Sequence, residues 1–138
     1  MKFPQPPIQA APIAGVLSWV QWFSQITSYF KDPVLTTPTF SANWSNVGGV
    51  YQTAQYYIDS TGIVHLEGSI KKSIAGVAGE TIFTLPVGYR PSAQLSFPVD
   101  ANGAYGKIDV KANGTVVYQV GTATVSISLS GITFRAYQ

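Results

Sequence analysis

The stretch that most limits what this chain can fold into is Phe-Thr-Leu-Pro-Val-Gly-Tyr-Arg-Pro at 83–91. Pro86 lacks the amide donor a strand ladder needs, Gly88 admits a positive φ, and Pro91 biases Arg90 toward extended backbone. One strand must end here and the next must leave at an angle. The corner encloses a phenol and a guanidinium, Tyr89 and Arg90, which point either outward to bind something or inward to lock the turn.

Strand and turn signals alternate on both sides of this corner. Upstream, 50–58 reads as a Tyr-rich strand, 59–62 as a turn, and 63–71 as a strand with Val64, Leu66, Gly68 and Ile70 on one face. His65, Glu67 and Ser69 take the other face. A loop at 73–79 leads to a strand at 80–85 that enters the corner. Downstream come a strand at 93–99 ending near Pro98, a turn at 100–103, a strand at 105–111 and a hairpin turn at Asn113-Gly114. Strands at 115–120, 124–129 and 132–137 complete the series, with Val125, Ile127 and Leu129 on a buried face. About eight strands of modal length, with no helices between them, exclude a parallel sheet. The expected fold is all-β, an antiparallel β-sandwich or jelly-roll-like head, with a short N-terminal α-helix.

Three segments are expected: 1–33 as an arm with an oligomerisation or attachment helix, 34–46 as a linker, and 47–138 as the β-sandwich head. Residues 1–12 carry four prolines and read as an extended arm. From 13 to 30 the spacing turns helical, with Val16, Trp19, Phe23, Ile26 and Phe30 forming a seam at alternating steps of three and four. Leu17, Val20, Trp22 and Tyr29 widen that apolar surface. The helix packs on its own β domain or on sister helices, and Lys31-Asp32-Pro33 ends it. The Thr-, Ser- and Asn-rich 34–46 adds at most a short edge strand near Phe40. Lys2 resembles a signal-peptide start, yet prolines and Gln21, Ser24, Gln25 and Ser28 interrupt the apolar run, so no transmembrane anchor is expected.

Charged residues are only 10% of the chain, which suits a β protein with uncharged polar surfaces or a subunit covered by its own copies. A net charge of +2 without basic clusters argues against nucleic acid. With no cysteine there is neither a disulfide nor a thiolate metal site. Catalytic groups are scarce. His65 and Glu67 share a strand face, and a metal would need Asp59 or Asp109 as a further ligand. Glu67 with Glu80 is the nearest pair for glycoside hydrolysis. No catalytic residue, metal site or cofactor motif is assigned. Binding groups are more plentiful: Tyr89, Arg90, Asp100, Asn102 and Tyr105 lie on or beside turns that could gather at one end of the sandwich and suit a saccharide. The structural alternative has Tyr89 tucked under the corner and Arg90 paired with Asp100 or Asp109.

From 80 to 137 the chain resembles the C-terminal head domains of bacteriophage tail fibres and receptor-binding proteins. The resemblance rests on Ile82-Phe83-Thr84-Leu85-Pro86-Val87-Gly88-Tyr89-Arg90-Pro91, Phe97-Pro98-Val99, Gly106-Lys107-Ile108-Asp109-Val110, Asn113-Gly114, and Ser128-Leu129-Ser130-Gly131-Ile132-Thr133-Phe134. It extends upstream to 62–70. The resemblance implies a virion protein, a homotrimer that attaches to other virion proteins through its N-terminal arm and helix and adheres to a host-cell surface glycan without chemistry. In that reading Val16, Trp19, Trp22, Phe23, Ile26 and Phe30 serve oligomerisation or attachment. No shaft separates helix from head, which opens the alternative of a capsid, collar or head-decorating protein with no receptor role.

Overall fold

The computed structural model describes the backbone at residues 12–30 and 32–137, and the side chains there from Trp19 onward. The proline arm at 1–11, the Val16 side chain and Lys31 lie outside the described residues. The chain forms two units, Met1–Pro33 and Val34–Gln138.

The first unit carries α1 (Pro12–Tyr29). Proline suits the first helical position, where its missing amide proton has no partner to lose. Thr27 and Ser28 donate their hydroxyls to the carbonyls of Ser24 and Gln25, at 2.9 and 2.6 Å, so these polar side chains cost the helix little. Trp19 and Phe23 are exposed, and Trp22 lies against both, with ring centroids 5.0 Å from each.

The second unit holds β1 (Trp44–Asn46), β2 (Gln55–Ile58), β3 (Ile63–Glu67), β4 (Ser69–Lys72), β5 (Thr81–Thr84), β6 (Leu95–Ala101), β7 (Ala104–Val110), β8 (Thr115–Val120), β9 (Ile127–Ser128) and β10 (Ile132–Arg135). All pairings are antiparallel, in sheets ordered β1-β4-β9, β10-β3-β2 and β5-β8-β7-β6. Each sheet sends alternate side chains into one core, with Ile70 and Ile127, Val64 and Leu66, and Ile108 and Val116 among its fully or nearly fully buried members. The fold is thus all-β and antiparallel with one short helix, as the alternation indicated.

Several boundaries differ from the sequence reading, each for a physical reason. The strand expected over 63–71 is two strands in different sheets, divided at Gly68 (φ 98°). A Cβ there would stand 2.5 Å from the Thr53 carbonyl oxygen and 2.6 Å from the Ala54 Cα, so the close approach of these backbones requires glycine. The strand expected from 50 starts at Gln55, because 48–51 makes a turn closed by the Tyr51 amide on the Gly48 carbonyl. Pro98 sits inside β6 instead of ending it; β6 is an edge strand, where a missing amide donor is tolerated. Asn102 and Gly103, both at positive φ, form the two-residue turn that lets β6 run on to Ala101. At 124–129 only Ile127 and Ser128 are paired, and Val125 is exposed.

The segment expected as a linker belongs to the β unit. Thr36 bridges Tyr56 on the outer edge of β2, Phe40 bridges Phe83 on the outer edge of β5, and β1 pairs with β4. Trp44 is buried, its ring 5.8 Å from that of Tyr118 and 5.9 Å below the Lys72 ammonium. Lys72 itself is buried and donates to the Ala75 carbonyl and to Glu80, whose Oε1 is 2.6 Å away, so it fastens the 73–80 loop to the core.

Lys72, with the Val77 amide, lowers the Glu80 carboxyl below its ordinary range. Desolvation works to raise Asp59, but hydrogen bonds from the Thr61 hydroxyl, His65, and the Ile63 and Thr61 amides outweigh it and hold that carboxyl far below the usual range. Both carboxyls are more acidic folded than unfolded, so their stabilisation is complete above an unfolded pKa of about 4 and is lost as pH falls through the folded values. The midpoint of thermal unfolding should therefore drop steadily below about pH 4, and Glu80→Gln should flatten part of that drop. An acid limb unchanged by Glu80→Gln would count against the Lys72 pairing.

Candidate functional site

At the corner the chain folds inward. Leu85 is fully buried and its amide donates to the Gly114 carbonyl at 2.8 Å. The Tyr89 amide closes the turn on the Pro86 carbonyl. The Tyr89 ring packs on the core and meets Tyr56 edge to face, with centroids 5.3 Å apart. Burial pushes the Tyr56 phenol up, and the neighbouring Tyr89 phenol adds to that. Arg90 Nε donates to the Leu85 carbonyl at 2.9 Å, and its side chain occupies the space beside Gly114 where a Cβ would otherwise point. The Arg90 carbonyl accepts from the Tyr137 amide at 2.7 Å.

These bonds join the end of β5, the β7–β8 turn and the chain beyond β10. Arg90 pairs with neither Asp100 nor Asp109. Asp100 Oδ1 accepts from the Gly103 amide, and Asp109 accepts from Gln94, Ser96 and Gln119. Arg90→Ala should cost about 1–2 kcal/mol through the lost hydrogen bond and stem packing, read as a lower denaturant midpoint at unchanged slope. An unchanged midpoint would remove the guanidinium from the corner's support.

The five turn residues singled out from sequence do not converge. Tyr89 and Arg90 precede β6, whereas Asp100, Asn102 and Tyr105 surround its far end at the β6–β7 hairpin. The extended residues Leu95 to Val99 lie between the two groups, about 17 Å of strand. Asn102 and Tyr105 are exposed at that tip. Of the sparse catalytic candidates, His65 Nε2 lies 2.8 Å from Asp59 Oδ2 and the imidazole stacks on Tyr57 at 4.7 Å. Asp59 Oδ1 accepts from the amides of Thr61 and Ile63, so this carboxylate organises the β2–β3 turn. Glu67 stands opposite Gln55 on β3, and Glu80 is engaged by Lys72. Among the described residues no three His, Asp or Glu side chains gather as metal ligands.

A concave site forms elsewhere, between the open edges of β6 and β10. This groove of about 430 Å³ has Pro91, Leu95, Phe97 and Phe134 as apolar lining, with the Phe97 and Phe134 rings 6.3 Å apart. Ser96, Thr133 and Arg135 supply hydroxyls and a guanidinium. Its size and mixture of aromatic faces with a few polar groups suit a small organic ligand or one unit of a larger one. Sequence reasoning marked Phe97 and Phe134 only within a family resemblance. The two edges belong to different sheets, so no local pattern announced their meeting.

No family model matches the sequence, and no curated protein matches it. Among solved structures, the chain is similar to the crystal structure of the receptor-binding protein (gp15) of Listeria phage PSA. The TM-score is 0.72 at 12% sequence identity, covering 95% of this chain and 83% of that one. With its antiparallel sheets, short N-terminal helix and corner at 83–91, the chain has the fold of that phage receptor-binding protein.

Proposed function

We propose that this protein is a virion component whose β unit adheres to the host-cell surface, with saccharide as its target and no chemistry performed on it. The observation that carries the reading is the fold likeness to a phage receptor-binding protein over 95% of the chain. The groove between β6 and β10 supports it, since it offers aromatic faces and hydroxyls. In this reading the helix serves assembly: Trp19, Val20 and Phe23 leave apolar surface exposed on α1, which suits packing against two sister chains and other virion proteins. Trp22, Ile26 and Phe30 belong to the same segment.

The test is adsorption of fluorescently labelled full-length chain to a panel of bacterial strains. Saturable retention on at least one strain, removed by prior stripping of surface polysaccharide, is the expected result. Retention on none would sink the adhesion role and leave a purely architectural place in the particle. Light scattering should give three times the 14.8 kDa chain mass. A monomer mass that persists at high concentration would dispose of the trimer.

A further inference from the structure

Asp109 is an unusual residue for the face it occupies. On β7 its neighbours Ile108 and Val110 point into the core, so Asp109 points to the outer face of the β5-β8-β7-β6 sheet, yet it is 2% exposed. Side chains from both adjoining segments cover it. Its Oδ2 accepts from Gln94 Nε2 at 3.0 Å and Gln119 Nε2 at 2.8 Å, and its Oδ1 accepts from Ser96 Oγ at 2.6 Å. Lys107 Nζ, 3.7 Å from Oδ1, offsets the charge.

A carboxylate only accepts, so both carboxamides must turn their nitrogens toward it and their oxygens away. Each glutamine is left with a fixed Oε1 acceptor and a second Nε2 hydrogen, for which the described residues provide no partner. A surface glutamine ordinarily loses up to about 2 kcal/mol of rotamer freedom when a ligand immobilises it. Here that freedom is already spent, which is preorganisation for binding. Gln94, just before β6, and Gln119 on β8 reach in from either side of β7, and because both Nε2 atoms donate to the same Oδ2 they lie within about 6 Å of each other. Paired donors and acceptors that close together match the hydroxyls of a single sugar ring, and the Lys107 ammonium beside Asp109 offsets its charge, so neither sign of ligand charge is favoured.

We propose that the outer face of β6, β7 and β8 around Asp109 is a platform for a neutral saccharide, with Gln94, Ser96 and Gln119 touching the ligand and Asp109 as their positioning residue. The proposal rests on the adhesion reading and places its contact surface. Ser96 also lines the β6–β10 groove, so platform and groove adjoin along one strand.

The test applies the full chain to a printed array of bacterial surface glycans. Wild type should bind a neutral saccharide, and Gln94→Ala and Gln119→Ala should each weaken that binding about tenfold while lowering the melting temperature by a few degrees, about the cost of one donor to the Asp109 carboxylate. On titration with the same saccharide, the side-chain amide resonances of Gln94 and Gln119 should move. Wild-type affinity in both variants, or shifts that spare these two amides, would overturn the proposal, and the titration decides even if a variant fails to fold. Absence of saccharide binding by wild type overturns it too. In that case retained adsorption to cells leaves the adhesion role standing, and loss of both removes it.

Discussion

A fragment beginning at Val34 should unfold as one cooperative unit, whereas a fragment beginning at Val47 should not fold. The residues between them look dispensable in sequence, since they are rich in Thr, Ser and Asn. Their removal nevertheless takes away β1, the buried Trp44 ring and the bridges of Thr36 to Tyr56 and Phe40 to Phe83. Loss of a buried tryptophan alone costs about 3–5 kcal/mol, against a total of about 5–15 kcal/mol for a typical domain. The edges of β2 and β5 would also be uncovered, which invites pairing between chains. Urea unfolding followed by circular dichroism decides it. A 47–138 fragment with the same midpoint as 34–138 would show that the segment is an accessory.

Gly68→Ala should be among the most damaging single methyl additions in the β unit. Positive φ costs an L residue about 1–2 kcal/mol, and the added carbon must also displace the backbone at Thr53 and Ala54. That backbone has little room to yield. The Ser69 amide donates to the Gln52 carbonyl, the Leu129 amide donates to the Gly68 carbonyl, and the Gly68 amide donates to Ser130 Oγ. A total near 3 kcal/mol would lower the melting temperature by about 10 °C or more. Gly62→Ala is the control, because Gly62 shares the positive φ but has open space around it. Equal losses in the two variants would mean that the backbone contact at Gly68 carries no energy.

What was legible in the sequence followed from local chemistry. Proline and glycine act on their own residue, so the corner at 83–91 and the Asn113-Gly114 turn could be placed from their letters alone. Period-two alternation likewise revealed the strands, but it does not record which sheet a strand joins. Burial alternates without a break through Val64, Leu66, Gly68, Ile70 and Lys72 although the chain changes sheet midway. Partners distant in sequence were not legible. Nothing near Phe40 names Phe83, and nothing near Asp109 names Gln94 and Gln119 as its cover. Tyr89 and Arg90 stand before the strand that Asn102 follows, and the two ends of an extended strand lie at opposite ends of its sheet.

The residues after the helix also determine how a mechanical load would reach the β unit. Tension transmitted along the chain from α1 enters at Val34 and first meets the reciprocal pair of backbone hydrogen bonds between Thr36 and Tyr56, each 2.9 Å, and then the Ser41 amide on the Ile82 carbonyl at 2.8 Å. Two bonds at the outermost strand edge would yield before the core does. Their rupture would release a few residues of slack while the buried Trp44 ring stays seated, so load from that side would peel the edge of β2 before it strained the core.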